Sequence, residues 1–160
     1  VQKKNATVLA RRHIMQEVQR PINYGRIIYY SVLHITALFA IYHLITLFSL
    51  ATVILAVIML QLSSFGISIG NHRLFSHRAF KAHPVLEYIL LILSPSGFQD
   101  STLIWSVNHR YHHRYTDREG DPHSPKLGGF WWSHMGWLFH YSGATHEQIM
   151  RERDLVSNPR

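Results

Sequence analysis

The sequence predicts an all-α integral membrane protein, with a transmembrane helical hairpin followed by histidine-rich cytoplasmic helices and interfacial helices. Two observations lead to this fold class. Between Arg26 and Arg73 there is no Asp, Glu, Lys or Arg in 46 consecutive positions. As helix these positions would extend about 69 Å against a hydrocarbon core of about 30 Å, so two spans fit and one does not. The second observation is a pair of histidine clusters immediately after this stretch.

The chain divides into three segments: a basic N-terminal segment at 1–26, the two-span hairpin at 27–70 and a cytoplasmic and interfacial histidine-rich region at 71–160. The spans are predicted at 27–48 and 50–70. The positive-inside rule places the N-terminus and both clusters in the cytoplasm. It applies because basic residues flank the hairpin on both sides: Lys3, Lys4, Arg11, Arg12, Arg20 and Arg26 before it, and Arg73, Arg78 and Lys81 after it. The alternative is a buried hairpin in a soluble protein, which is rare at this length.

Charge and cysteine content exclude several functions. The net charge is +7, but the positive residues flank the hairpin and no nucleic-acid-binding motif is present, so anionic lipid headgroups are the expected partner and nucleic acid is not. The chain contains no cysteine. Any metal must therefore be held by nitrogen and oxygen ligands.

The remaining elements follow from local patterns. The apolar run 85–93 is too short to cross a membrane and is expected to lie in the interface or to cover the site. Residues 101–115 read as a helix, 117–129 as a loop and 130–139 as an aromatic interfacial segment. Thr145 and Gln148 form a predicted capping box that opens a charged helix through Leu155. The spacing of Gly66 and Gly70 predicts close helix packing.

The two histidine clusters are the candidate functional site. The first contains His72 and His77, and the second contains His109, His112 and His113. Histidines three and four apart share one side of a helix, so the second cluster can converge. His72 and His77 would lie about 140° apart on an ideal helix, so they either flank a site or the helix bends there.

Imidazole clusters of this kind predict a metal. Iron with open positions for dioxygen is the strongest candidate, and a zinc hydrolase stays open because spacing alone does not separate the two. The other histidines are not expected to be metal ligands. His34 and His43 are expected to pack or hydrogen-bond inside the first span. The rest are expected to be surface residues (His13, His83 and His146), or structural or ligand-supporting residues (His123, His134 and His140).

Four runs of sequence carry a family resemblance. They are GISIGNHRLFSHRAFKAH at 66–83, NHRYHHRYTD at 108–117, DPHSP at 121–125 and GFWWSHMGW at 129–137, and VLHITALFAI at 32–41 adds to them. Together they resemble the membrane fatty acid desaturases of the delta-9, stearoyl-CoA type. The HxxxxH and HxxHH boxes are specific in combination and weak alone.

This resemblance implies a non-haem diiron enzyme that introduces a cis double bond, expected at the delta-9 position, into a saturated acyl chain. It implies His72, His77, His109, His112 and His113 as ligands of two iron ions, with no catalytic residue beyond them. It also implies Gln99 and Trp105 as substrate-binding residues at a bend in an acyl tunnel. Dioxygen and an electron donor such as cytochrome b5 or ferredoxin are the implied partners.

The resemblance leaves the acyl carrier open between CoA and a lipid. Val107 and Asn108 stand where animal acyl-CoA desaturases have an Arg-Asp pair that contacts the CoA. The family's third histidine box and second hairpin do not occur within these 160 residues. The chain is therefore expected to be the N-terminal half of a four-span fold that alone binds iron poorly and is inactive. The expected membrane is the endoplasmic reticulum in a eukaryote and the inner membrane in a bacterium.

Two other functions remain as rivals. A histidine-box hydroxylase or alkane monooxygenase would use the same oxidant and yield an alcohol instead of an alkene. A non-catalytic membrane metal-binding protein would keep the clusters and lack turnover.

Overall fold

The computed structural model describes residues 21–141 and 143–157. The described residues form helices and contain no strand. The predicted basic segment falls largely outside them, since Lys3, Lys4, Arg11, Arg12, Arg20 and His13 are not among the described residues. The described residues separate into two compact units, 21–46 with 111–141 and 47–110 with 143–157.

Eight α-helices are described. The five longest are α1 (Tyr24–Thr46), α2 (Leu50–Phe65), α3 (Pro84–Leu93), α4 (Thr102–Tyr115) and α5 (Pro125–Trp131). Three short helices follow: α6 (Trp137–His140), α7 (His146–Arg151) and α8 (Arg153–Val156). A π-helix, Gly66–Ser76, continues α2, and a second, Trp132–Gly136, joins α5 to α6. A 3₁₀ turn, Ser94–Gly97, ends α3.

Within residues 21–141 and 143–157, two helical segments are long and apolar enough to cross a membrane, Tyr24–Thr46 and Leu50–Ser76. The prediction of two membrane-length apolar helices is confirmed, although the first begins and ends earlier than predicted and the second continues into the first histidine box. Neither α1 nor α2 buries a residue against the rest of the described chain. A buried hairpin of a soluble protein would bury them, so the exposed apolar faces favour a lipid environment.

His34 and His43 lie within the first span. The His34 Nδ1 donates to the carbonyl oxygen of Tyr30 at 2.7 Å, one turn earlier on α1. The His43 ring packs edge-on against Phe39, with centroids 4.6 Å apart. Both rings therefore have local partners on their own helix, as the packing interpretation expected.

The π-helix after α2 lies against α3 because two glycines allow a close approach. A Cβ on Gly66 would lie 2.6 Å from the carbonyl carbon of Leu93, and one on Gly70 would lie 3.2 Å from the Cβ of Leu90. The packing role predicted for this glycine pair is therefore confirmed within the chain.

A buried polar network fixes the same contact. Asn71 is fully buried, and its Oδ1 accepts a 2.5 Å hydrogen bond from the Ser94 hydroxyl. The Ser94 hydroxyl in turn accepts from Thr102 at the start of α4. The Asn71 carbonyl oxygen accepts from Ser76 at 2.6 Å. The Asn71 Nδ2 is buried without a hydrogen-bond partner among the described residues, whereas both oxygens of Asn71 accept hydrogen bonds that fix the residue preceding His72.

Replacing Gly66 with alanine is expected to destabilise the protein by about 1–3 kcal/mol, because the added Cβ meets backbone atoms that cannot rotate away. Gly25→Ala is the matched control. Its Cβ would meet only the Asn23 side chain at 3.4 Å, so helix propensity should make it neutral or slightly stabilising. Thermal unfolding of the two purified variants measures the difference, and equal midpoints would contradict the packing role.

The aromatic segment contacts the beginning of the first span. The backbone N–H of Asn23 donates to the carbonyl oxygen of Phe139 at 2.7 Å, and its side-chain amide donates to that of Tyr141. The Arg26 guanidinium lies over the Tyr141 ring, 4.7 Å from its centroid. These contacts hold aromatic side chains beside the end of a membrane-length helix, which is where aromatic residues lie in membrane proteins.

Two predicted boundaries are wrong. The loop predicted at 117–129 ends at Ser124, whose hydroxyl caps α5 by accepting from the N–H of Leu127, with Pro125 as the first helical residue. Proline at that position lacks only an N–H that would have no helical partner. The helix predicted through Leu155 begins with the expected capping box at Thr145 but breaks at Glu152, so it forms α7 and α8.

Candidate metal centre

The π-helix brings the two histidines of the first box together. The backbone N–H of His77 donates to the carbonyl oxygen of His72 at 3.0 Å, the i to i+5 bond of a π turn. The two ring centroids are 4.7 Å apart. On an ideal α-helix these side chains would diverge, so the wider turn is the local bend that sequence analysis left as one of two possibilities.

His109 on α4 completes a group of three imidazoles. Its ring centroid lies 4.7 Å from that of His72 and 5.1 Å from that of His77. The Nε2 atoms of His77 and His109 are 3.1 Å apart. Two nitrogens bound to one ion at about 2.1 Å and at right angles would be about 3.0 Å apart. The donor atoms of all three side chains lie within 4.8 Å of one another, a geometry that fits a common metal ion.

The histidine side chains of the second box point in two directions. His113 follows His109 by one turn of α4, so the two side chains share a helix face. Neighbouring positions on an α-helix differ by about 100°, so His112 cannot point the same way as His113. This differs from the predicted convergence of all three side chains of the box.

His112 belongs to another cluster, with Asp121 and His123, whose donor atoms also lie within 4.8 Å of one another. The Nδ1 of His112 donates to the Asp121 carboxylate at 2.9 Å, and its ring stacks on that of His123 with centroids 4.5 Å apart. Burial and the nearby His112 lower the pKa of His123. An imidazole whose Nδ1 is bonded to a carboxylate presents Nε2 as its ligand atom.

Sequence reasoning missed the part played by Asp121. It is buried, and besides His112 its carboxylate accepts from the backbone N–H groups of Asp117 and His123. The available signal was an aspartate followed by proline and histidine soon after the second box. His123 was considered only as a structural or supporting residue, and the structure places its ring directly on that of His112.

The predicted substrate-binding pair is brought together beside His109. The Trp105 Nε1 donates to the Gln99 side-chain oxygen at 2.9 Å. The Trp105 indole stacks on the His109 ring, with centroids 4.7 Å apart and planes 22° from parallel. One indole therefore contacts both the predicted substrate residue and a predicted ligand.

The other histidines have local contacts. His83 caps α3 by accepting from the N–H of Val85, and His146 is the first residue of α7. His134 stacks on Phe130, and His140 packs against Trp132. The structure does not place these side chains in either cluster.

An ion-pair network lies next to the first group of histidines. Arg110, which follows His109, bonds to Glu152 at 3.0 Å and to both carboxylate oxygens of Asp154 at 2.7 and 2.8 Å. Arg78, which follows His77, also pairs with Asp154. Hydrogen bonding from Arg110, followed by the charges of the two arginines, lowers the pKa of Asp154. The same bond to Asp154 raises the pKa of Arg110.

This shift gives Asp154 a pH-dependent effect on stability. Its contribution is complete above the pKa of an unfolded aspartate, about 3.9, and is lost as the pH falls through the lower folded value. Asp154→Asn should therefore be less stable than the wild type at pH 7, by about 1 kcal/mol at most because the carboxylate is half exposed, and the deficit should shrink below about pH 4. Unfolding midpoints in detergent at both pH values test this, and an equal deficit at both would contradict it.

The donor sets fit a redox-active or Lewis-acidic transition metal. The first group offers imidazole nitrogen alone, and the second offers imidazole nitrogen and carboxylate oxygen. Imidazole suits iron, copper and zinc, and with no cysteine in the chain no thiolate competes. This arrangement can therefore bind a metal near the end of a membrane-length helix.

Comparison with known proteins identifies the family. No protein-family profile matches the chain. It is 37% identical over 141 residues to an acyl-CoA Delta(11) desaturase of Choristoneura rosaceana, which covers 86% of this chain and 42% of the relative. It is 38% identical over 120 residues to an acyl-CoA Delta-9 desaturase of Acheta domesticus, covering 75% of this chain and 33% of the relative.

A bacterial relative is similar over a comparable length of the chain. The sn-1 stearoyl-lipid 9-desaturase of Anabaena variabilis is 36% identical over 140 residues, which is 86% of this chain and 50% of the relative. The chain spans a third to a half of the length of these three relatives. The resemblance expected from the histidine boxes is confirmed, and the chain belongs to the fatty acid desaturase family.

Proposed function

We propose that the complete protein is a membrane fatty acyl desaturase that introduces a cis double bond, at the delta-9 position, into a long saturated acyl chain. The observation that carries this proposal is the convergence of His72, His77 and His109 at the end of a membrane-length helix. Such an arrangement would hold the proposed metal ligands where a lipid chain could reach them from the bilayer. The relatives named as desaturases support the reaction class.

The proposed cofactor is a pair of non-haem iron ions. His72, His77, His109, His112 and His113 are the proposed ligands of the two ions. When bound, such iron would activate dioxygen for removal of hydrogen from an unactivated carbon chain. In the balanced reaction, the saturated chain, one dioxygen, two electrons and two protons give the alkene and two water molecules. The electrons come from a donor such as cytochrome b5 or ferredoxin.

The chain's own residues prepare the ligands and the substrate. The Asp121 carboxylate holds His112 with its Nδ1 protonated, which leaves Nε2 for a metal. The proposed role of Gln99 and Trp105 is to line a bend in the acyl tunnel. Their mutual hydrogen bond would fix that bend, and the stacking of Trp105 on His109 would set its distance from the metal.

The proposed substrate is an acyl-CoA, and a lipid-linked acyl chain is the second candidate. The two insect relatives are named for acyl-CoA, whereas the cyanobacterial relative is named for a stearoyl lipid. Val107 has an apolar side chain and is fully buried, so this position offers no charge to a CoA phosphate. The delta-9 position of the double bond is likewise a proposal, because the relatives include both a Delta-9 and a Delta-11 desaturase.

The protein is proposed to be multi-pass, with its N-terminus and both histidine boxes on the cytoplasmic side. Arg26 before the first span, and Arg73 and Arg78 beyond the apolar part of the second, support this orientation. The proposed compartment is the endoplasmic reticulum in a eukaryote and the inner membrane in a bacterium. Protease protection of tags at the N-terminus and at the loop after the π-helix Gly66–Ser76 would test the orientation.

Expression of the complete reading frame in a microbial host that lacks its own desaturase tests the function. Gas chromatography and mass spectrometry of the fatty acids should show a new cis alkene at the ninth carbon. An alcohol would favour the hydroxylase rival, and iron binding without either product would favour the non-catalytic rival. Supplying labelled acyl-CoA or labelled phospholipid to isolated membranes separates the two carriers.

A further inference from the structure

Arg110 connects the two helices that carry the first histidine group. It lies on α4 next to His109, and its guanidinium reaches the end of the π-helix that carries His72. Its Nε donates to the carbonyl oxygen of Ser76 at 2.7 Å, and its Nη2 donates to that of Phe75 at 3.1 Å. Carbonyl groups at the end of a helix lack partners within it, and a cation is favoured there.

The remaining donors of Arg110 are held by carboxylates from the segment 145–157. Nη1 donates to Glu152 and Asp154, and Nη2 donates to the other oxygen of Asp154. With the two carbonyl contacts, these bonds engage all five N–H groups of the guanidinium. The Arg110 side chain is 15% exposed and that of Glu152 is 6% exposed, so solvent screens the ion pair between these two residues only a little.

The same carboxylate segment holds the chain on the other side of His77. Arg78 adopts a left-handed backbone conformation, with φ of 51°, which is uncommon for a residue with a side chain. Its guanidinium bonds to the carboxylate and to the carbonyl oxygen of Asp154. The residues before and after His77 are therefore both tied to Asp154, one side through Arg110 and the other through Arg78.

We infer that Arg110, held by Glu152 and Asp154, is a positioning residue for the metal centre, because it fixes the end of the π-helix that carries His77 against the helix that carries His109. The segment 145–157, which contains no histidine-box residue, thereby sets the separation of two ligand nitrogens. Lysine cannot replace the arginine, since it has three donors and cannot bridge two carbonyls and two carboxylates. This inference rests on the proposed iron site.

The test compares iron affinity in Arg110→Lys, Glu152→Gln and Asp154→Asn with the wild type, each purified from the complete reading frame. Loss of a partner behind a ligand typically costs about 10–100-fold in metal affinity, and each variant is expected to fall in that range. Glu147→Gln is the matched control. It removes an exposed ion pair with Arg151 from the same segment, and it should bind iron as the wild type does.

Two further readouts separate positioning from general destabilisation. Hydrogen exchange of peptides covering 70–80 should quicken in the three variants and stay unchanged in the control. The visible spectrum of the cobalt-substituted protein should shift, because it reports ligand geometry and not stability. Faster exchange with unchanged iron affinity and an unchanged cobalt spectrum would overturn the inference. Wild-type affinity and exchange in all variants would overturn it as well while leaving the proposed function intact. A wild-type protein that binds no iron would instead overturn the proposed function on which the inference rests.

Discussion

Replacing His109 with alanine is expected to abolish iron retention at the first group and to reduce alkene formation to background. Its nitrogen lies 3.1 Å from that of His77, and its ring faces those of both first-box histidines. The loss should exceed about 100-fold in iron affinity, the upper end of what removal of a partner behind a ligand costs.

Iron per protein by elemental analysis and alkene by gas chromatography measure the effect. His134→Ala is the matched control, since that exposed ring stacks only on Phe130 among its described aromatic contacts. It should keep both iron and product. An His109→Ala variant that holds iron as tightly as the wild type would contradict the assignment of His109 as a ligand. Loss of iron in both variants would point to general loss of structure.

Replacing Trp105 is expected to separate substrate positioning from support of the metal ligand. Trp105→Phe keeps an aromatic ring against His109 but removes the donor to Gln99. It should retain iron and change the distribution of products by chain length or by double-bond position. Trp105→Ala removes the stacking as well, so it should also weaken iron binding. We expect the turnover of the alanine variant to fall about 10–100-fold, as for loss of a group that orients a ligand.

Gln99→Leu provides the complementary control for the tryptophan variants. Gln99 is exposed and contacts Trp105 through one hydrogen bond, so its loss should reproduce the product change of Trp105→Phe without affecting iron. Product analysis together with iron content distinguishes the three variants. If Trp105→Phe gives the wild-type product distribution at every chain length tested, the proposed bend in the acyl tunnel is wrong.

The spans and several helices were predictable because the signals for them are local. The absence of charge between Arg26 and Arg73 identifies two membrane-length helices from composition alone. The capping box at Thr145 and Gln148 likewise needs no distant contact. Boundaries were less predictable. Ser124 and Pro125 begin a helix inside a segment whose glycines and prolines predicted a loop, and Glu152 interrupts a helix with no proline or glycine to mark the break.

The candidate site shows the same division between local and distant information. The histidine boxes were found as clusters and assigned to a family from their residues and spacing alone. Their geometry depended on a π-helix, which forms where Gly66 and Gly70 allow close packing against α3 and which no simple sequence period predicts. The five bonds of Arg110 join residues 34 to 44 positions apart in the sequence, so spacing carried no sign of them. The pairing of His112 with Asp121 spans only nine positions, and the aspartate soon after the second box was its available signal.

The sequence by itself determined the two membrane-length apolar helices, the imidazole donors and the family of this protein, because charge, hydropathy and donor type are properties of the residues themselves. The tertiary structure decided which nitrogens meet. It turned His77 toward His72, set His112 on Asp121 and placed Arg110 between the two box helices. Those outcomes depend on a local widening of one helix, on the loop that follows α4 and on the distance between two helices, which only the folded chain defines.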